Sequence, residues 1–234
     1  MTARRILITG ATRGIGLAMA RHLIAAGHQV WGTTRNLAVT HELRDAGPAG
    51  VLQLDIGNGH SIDAFARQIA RETDALDIVV NNAGVGTSAF RVQRADAGPW
   101  DVDPQVVLDV TKVNALGPMR VTRAVIGLLE AGTDPLVVNT SSQLGSMAVG
   151  PRVQDTPYNV SKAALNMITV MMAASRPDIG FVALHPGWVR TDMGGPAASL
   201  DADDAAASIV EVMLGLSIDD SGRFIAWDGT DHPW

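Results

Sequence analysis

Apolar stretches of strand length recur along the chain with helix-length segments between them. They run from Ile6 to Thr9, Gln29 to Thr33, Val51 to Leu54, Ile78 to Asn81, Leu136 to Thr140, Phe181 to Leu184 and Arg223 to Trp227. Most are continuous instead of alternating in polarity, as expected of strands covered by helices on both faces. Seven such runs alternating with helices predict an α/β chain with a doubly wound, seven-stranded parallel sheet.

Between the first two runs, Leu17, Ala20, Leu23 and Ile24 fall at helical spacing from Gly16 to Ala26, and Gly27 supplies a C-terminal stop. Ser61 precedes an amphipathic stretch reaching Arg71. A long helical pattern covers Pro104 to Leu129, and Asp201 opens another to Leu216, with Asp203 and Asp204 placed at its positive end. The longest irregular stretches, residues 143–157 and 188–200, each follow a strand's C-terminal end, where open α/β sheets bind ligands. They are read as substrate loops of one domain spanning residues 1–234.

Composition narrows the function. The chain has 234 residues, of which 47% are hydrophobic and 18% charged, enough apolar material for a large core. A formal net charge of -6 argues against a nucleic-acid partner. The absence of cysteine excludes disulfides, thiolate catalysis and thiolate-held metals. No apolar run approaches a membrane span, so the expectation is a soluble, cytoplasmic protein with no membrane partner.

Directly after the first strand stands Gly10-Ala11-Thr12-Arg13-Gly14-Ile15-Gly16. Glycines there let backbone approach a pyrophosphate, and the following helix N-terminus presents oriented N–H groups. The strand–loop–helix context at the start of the chain favours a dinucleotide over a plain tight turn. A carboxylate at the end of the second strand would accept from an adenosine ribose and repel a 2'-phosphate. The chain has Thr33-Thr34-Arg35-Asn36 there. Arg35, with Arg13, suits that phosphate, and NADP(H), with NADPH preferred over NADH, is the expected cofactor. A solvated loop arginine is the plain alternative for Arg35.

Tyr158 is the one tyrosine in the chain, and Lys162 lies four residues on in a helical segment, which puts both on one face. A tyrosine acts as acid or base near neutrality only when positive charge stabilises its phenolate, which Lys162 and an oxidised nicotinamide can supply. Ser141-Ser142 follows the strand ending at Thr140 and reaches the same sheet rim.

The Gly-x-x-x-Gly-x-Gly loop, Asn81-Asn82-Ala83-Gly84, Ser142 and Tyr158-x-x-x-Lys162 together resemble the short-chain dehydrogenase/reductase family over nearly the whole chain. The resemblance implies a Rossmann-type domain and hydride transfer between a nicotinamide and a carbonyl or alcohol. It makes Ser142, Tyr158, Lys162 and Asn114 the catalytic set, with Asn114 kinking its helix and holding a water behind the lysine. It places Gly10, Thr12, Arg13, Gly14, Ile15 and Gly16 at the phosphates and Asp55 and Ile56 at the adenine. Asn82, Ala83 and Gly84 fall beside the adenine ribose, and Pro186, Gly187, Val189 and Thr191 near the nicotinamide. Homodimers or homotetramers through the Asn114 and Tyr158 helices are implied too.

The tail from Asp219 to Trp234 is similar to the small carbonyl-reductase-like branch that contains C-factor and sniffer proteins. That branch raises a second reading, an NADP-binding signalling or sensor protein with little turnover. An epimerase using bound NADP fits less well, because the chain lacks room for a larger substrate domain. Val85, Gln143, Met147, Trp188 and Met193 are placed near an apolar carbonyl or alcohol substrate. His185 is expected to be structural. Scattered single histidines give no metal site.

Overall fold

The computed structural model describes residues 2–90, 98–150 and 155–234. Its seven strands are β1 (Arg5–Ile8), β2 (Gln29–Thr34), β3 (Gly50–Gln53), β4 (Ile78–Asn81), β5 (Leu136–Thr140), β6 (Gly180–His185) and β7 (Phe224–Ala226). They pair in the order β3-β2-β1-β4-β5-β6-β7, every pairing parallel. The expected doubly wound sheet is therefore present, with its switch point between β1 and β4. Successive connections leave opposite faces there and open a crevice at the strand C-termini.

Alternate strand residues divide the core into two layers. Ile6, Ile8, Ile78, Val80, Leu136, Val138, Val182 and Leu184 pack beneath α1 (Gly14–Ala25) and α8 (Ala202–Gly215). The intervening Leu7, Val79, Val137 and Phe181 pack on the other face with Phe65 and Ile69 of α3 (Gly59–Glu72). Both faces are apolar, which is why the sequence runs are continuous.

Several boundaries differ from expectation for local reasons. Helix α1 begins at Gly14 rather than Gly16, because Gly14 turns through φ +53° and the helix follows at once. The cap of α3 is Asn58, whose side chain accepts from Ser61 N, while the Ser61 hydroxyl accepts from Asp55 N. β7 is three residues long, with Arg223 and Trp227 outside it.

The long helix expected from Pro104 to Leu129 is divided into α4 (Pro104–Thr111), a π-helical turn (Lys112–Leu116), α5 (Gly117–Ala124) and α6 (Ile126–Glu130). Pro118 has no N–H to give the carbonyl four residues back, and the wider turn absorbs that loss. Helix α2 (His41–Asp45) covers the β2 side, and α7 (Thr156–Ser175) runs beside α4. Residues 151–154 of the first substrate loop lie outside the described residues.

A buried polar ladder ties the sheet rim to its helices. Asn81 Nδ2 donates to Asn139 Oδ1 at 2.8 Å and Thr122 Oγ1 at 3.0 Å, and Asn139 Nδ2 donates to Thr169 Oγ1 at 2.9 Å. Truncating the middle member removes one of the two hydrogen bonds of Asn81 Nδ2, deprives the Thr169 hydroxyl of the donor that Asn139 supplies and opens a void. Asn139→Ala is expected to lower the unfolding free energy by about 2 to 3 kcal/mol, seen as a lower urea midpoint at unchanged slope; an unchanged midpoint would show the ladder to be dispensable.

Candidate active site

The glycine loop between β1 and α1 is built for close approach. Gly10 and Gly14 adopt φ +67° and +53°, which a side chain strongly disfavours. A Cβ on Gly16 would lie 2.3 Å from Gly10 O and 2.5 Å from Asn82 Nδ2. Helix α1 receives no side-chain cap hydrogen bond from its N-cap residue Arg13. Its first N–H groups and positive dipole end thus face the crevice, a cradle that fits a pyrophosphate.

Asn82 holds this loop: its amide donates to Thr9 O at 3.0 Å and Gly10 O at 3.1 Å, and Ala83 N donates to Thr9 Oγ1 at 3.0 Å. Thr12 lies 3.4 Å from Thr34 Oγ1, and Ile15 packs against the core. On the far side of the cradle, Thr191 Cγ2 would be 3.2 Å from a Cβ on Gly14, and exposed Arg13 pairs with Asp192 at 2.6 Å. Pro186, Gly187 and Val189 lead into this second loop, which a Val189–Leu200 bridge closes. The exposed Arg35 guanidinium makes no ion pair among the described residues. Asp55 Oδ1 is engaged by Gly57 N at 2.9 Å, so one of its oxygens serves the local turn, and adjacent Ile56 is buried.

At the reacting end, Tyr158 and Lys162 occupy the first turns of α7. Lys162 is 5% exposed, and its ammonium donates to Thr140 O at 2.7 Å and stands 5.5 Å from the centre of the Tyr158 ring. Ser142, two residues beyond the end of β5, stands beside the half-buried Tyr158 phenol, whose pKa it lowers, and accepts from Leu144 N at 3.1 Å. Asn114 sits in the π-helical turn and is buried, not exposed. Its amide donates to Val85 O at 2.8 Å and Ser161 Oγ at 3.1 Å, and its carbonyl oxygen accepts from Val85 N at 2.8 Å. It therefore joins the loop after β4 to the helix carrying Tyr158 and Lys162.

Burial pushes the Tyr158 phenol up to about 12, the Asp155 carboxylate adds to the rise, and the Ser142 hydrogen bond opposes it. Burial alone lowers Lys162 to about 8. The expected depression of the tyrosine by the lysine is thus absent in the protein by itself, because loss of water around the phenol dominates. Tyr158 is held as a proton donor.

Of the residues expected on the substrate side, Val85 is fixed by Asn114, and Met193 Cγ would lie 3.7 Å from a Cβ on Gly86. Trp188 folds back to donate its indole N–H to Gly194 O at 2.9 Å. Met147, Trp188 and Met193 are exposed and Gln143 is partly covered. His185 is half-buried against His232 with ring centres 5.4 Å apart, and desolvation foremost lowers it to about 4, so it is neutral.

Sequence reasoning missed Ser161 and Asn166. The latter accepts from Ser141 Oγ at 2.5 Å and donates to Gly145 O at 3.2 Å. Their signal was a stripe of polar residues, Ser161, Lys162, Asn166 and Thr169, on one face of a helix whose other face carries Met167, Val170 and Met171.

Residues 4–201 match the family model for the short chain dehydrogenases. The chain belongs to that family. It is 40% identical over 177 residues, 73% of this chain and 99% of the other, to the Myxococcus xanthus protein called C-signal. The carbonyl reductase Sniffer of D. melanogaster superposes with a TM-score of 0.90 at 30% identity, covering 100% of both chains. An NADPH-bound carbonyl reductase from chicken fatty liver gives 0.89 at 29% identity, again over 100% of both. These likenesses place this short-chain dehydrogenase in the carbonyl reductase branch.

The buried ammonium has a measurable cost. Lys162 binds its proton less tightly folded than unfolded, so between pH 8 and 10.5 the unfolded chain holds more protons and stability of the cofactor-free protein rises with pH. The full penalty, about 3 kcal/mol, is present below pH 8. Lys162→Met should raise the melting midpoint of the cofactor-free protein at pH 7 by a few degrees and flatten its rise above pH 8; a fall in the midpoint would refute this.

Proposed function

We propose that this short-chain dehydrogenase is an NADPH-dependent reductase of ketones or aldehydes. The observation that carries the reading is buried Lys162, bonded to Thr140 O at 2.7 Å and 5.5 Å from the Tyr158 ring centre, with Ser142 close enough to lower the Tyr158 pKa, at the rim where β5 ends beside α7. When bound, the reduced nicotinamide supplies the hydride. Ser142 and Tyr158 orient the carbonyl oxygen by two O–H donors. Tyr158, protonated at neutral pH, gives its proton to that oxygen as charge develops there. Lys162 would hold the nicotinamide ribose and favour the phenolate once the proton has left.

The cradle of Gly10, Gly14 and Gly16 at the uncapped start of α1 fits the pyrophosphate. Thr12, Arg13, Ile15, Asp55, Ile56, Asn82, Ala83, Gly84, Pro186, Gly187, Val189 and Thr191 complete the proposed cofactor-binding set. Exposed Arg35, with no competing ion pair among the described residues, supports a 2'-phosphate. Met147, Trp188 and Met193 give the mouth between the proposed substrate loops an apolar rim, which with Val85 and Gln143 suits an apolar carbonyl compound. The exposed Val160, Met167, Val170 and Met171 of α7 and Leu108 of α4 support a homodimer or homotetramer packed through these helices. No helix among the described residues is long and apolar enough to cross a membrane. A signalling role without turnover is disfavoured, because binding alone would not require the Ser142, Tyr158 and Lys162 arrangement.

Mixing the protein with NADPH and a panel of aldehydes, ketones and diketones should give loss of absorbance at 340 nm. Tyr158→Phe should reduce the rate by about a hundredfold or more while still binding NADPH. Tight NADPH binding with no wild-type turnover would favour the sensor reading instead. Arg35→Ala should weaken NADPH by about tenfold and leave NADH nearly unchanged, measured by fluorescence titration; equal weakening of both would remove Arg35 from the phosphate site.

A further inference from the structure

The segment after β7 returns across the sheet end instead of leaving it. Ile225 and Asp231 form an antiparallel bridge, His232 N donates to Phe224 O at 2.8 Å, and Arg223 pairs with Asp231 at 2.8 Å. The Phe224 ring then meets His232 at 4.6 Å and Trp234 at 5.2 Å between centres. This brings the backbone of Pro233 and Trp234 against the loop that begins at Ser142.

Ser146, 3% exposed, is the joint. Its hydroxyl lies 2.7 Å from Pro233 O and 2.9 Å from Trp234 O, and accepts from Val149 N at 3.1 Å. Ala148 N donates to Trp234 O at 2.9 Å. On the opposite side the loop is pressed onto α7, since a Cβ on Gly145 would lie 2.7 Å from the Lys162 carbonyl carbon. Between the two supports run tight turns, Gly145 N to Ser142 O at 2.9 Å and Ser146 N to Gln143 O at 3.0 Å. A displacement at Ser146 is therefore passed to Ser142 with little backbone slack to absorb it.

We propose that Ser146 and the His232–Trp234 segment are positioning residues that clamp the Ser142–Val149 loop against α7 and so set where Ser142 meets the substrate oxygen. The proposal rests on the reductase reading, because it assigns Ser142 that contact. Loop residues that carry chemistry need such support, since a hydroxyl displaced by even an ångström loses its hydrogen bond to the reacting oxygen. A serine hydroxyl can serve as this joint because it bonds the tail and the loop backbone at once, which alanine cannot do.

The test compares Ser146→Ala and Trp234→Ala with wild type in two measurements. Steady-state reduction of the best carbonyl substrate should lose about tenfold in kcat/KM, mainly in kcat, with the NADPH dissociation constant unchanged within about twofold. Hydrogen exchange in the cofactor-free protein should show the Ala148 amide protected in wild type and fast in both variants. Unchanged kcat/KM, or a loss matched by an equal loss of NADPH affinity, overturns the positioning role. Slow exchange at Ala148 in both variants overturns the clamp whatever the turnover. Should wild type reduce no carbonyl, the reductase reading and the role of Ser142 fall together, and the exchange result alone tells whether the tail still holds the loop.

Discussion

The site depends on an ammonium placed where water is nearly excluded. Lys162 has Thr140 O as its hydrogen-bond acceptor within the protein, and its pKa falls because burial disfavours the charged form. Such a group is tolerated only where the surrounding polar atoms are fixed in advance, since a loose partner would not repay desolvation. The neighbourhood supplies that rigidity: Gly84 backs onto both Asn114 and Lys162, Asn114 is bonded on three sides, and Gly145 seals the helix. The arrangement is costly for folding, and a dry setting of this kind strengthens every charge interaction made within it.

This requirement explains the inverted character of α7. A helix covering a sheet ordinarily turns its apolar face inward. Here Ser161, Lys162, Asn166 and Thr169 are buried, while Met167, Val170 and Met171 face outward. The inward polar residues each find a partner: Ser161 with Asn114, Asn166 with Ser141 and Gly145, Thr169 with Asn139. Asn139 and Asn81 extend the network across two strands. The polar ladder ties α7 to β5 and, through Asn139, to β4, and thereby bears on where Tyr158 stands relative to Ser142.

The sheet was legible in the sequence because burial on both faces writes itself as continuous apolar runs, and seven runs gave seven strands. The common helix face of Tyr158 and Lys162 was legible from their spacing, and the tight loop of Gly10, Gly14 and Gly16 from the strand before and the helix after. What escaped was whatever depends on distant contacts. The break at Lys112–Leu116 follows from Pro118 and from Val85 drawing in Asn114, and helical periodicity alone reads straight through it. The Ser146 contact with Pro233 and Trp234 spans 87 and 88 positions and has no local signature. Nor could spacing foresee the Tyr158 pKa, since that depends on how much water the folded loops exclude.

The glycine loop is built on the opposite principle. Arg13 and Asp192 bridge the glycine loop and the loop after β6, but both are more than 70% exposed, and such pairs contribute only ~0–1 kcal/mol. An arginine so weakly held can turn to a phosphate, with which it forms two parallel hydrogen bonds, at little cost to the fold. The backbone beneath it cannot turn: Gly14 is confined between its own left-handed conformation and Thr191, and Gly16 between Gly10 and Asn82. Rigid main chain therefore shapes the glycine loop, while exposed side chains stand at its lip. Substitution at exposed Arg13 or Arg35 can accordingly leave undisturbed the buried geometry around Tyr158, which stands on α7 on the other side of the switch point.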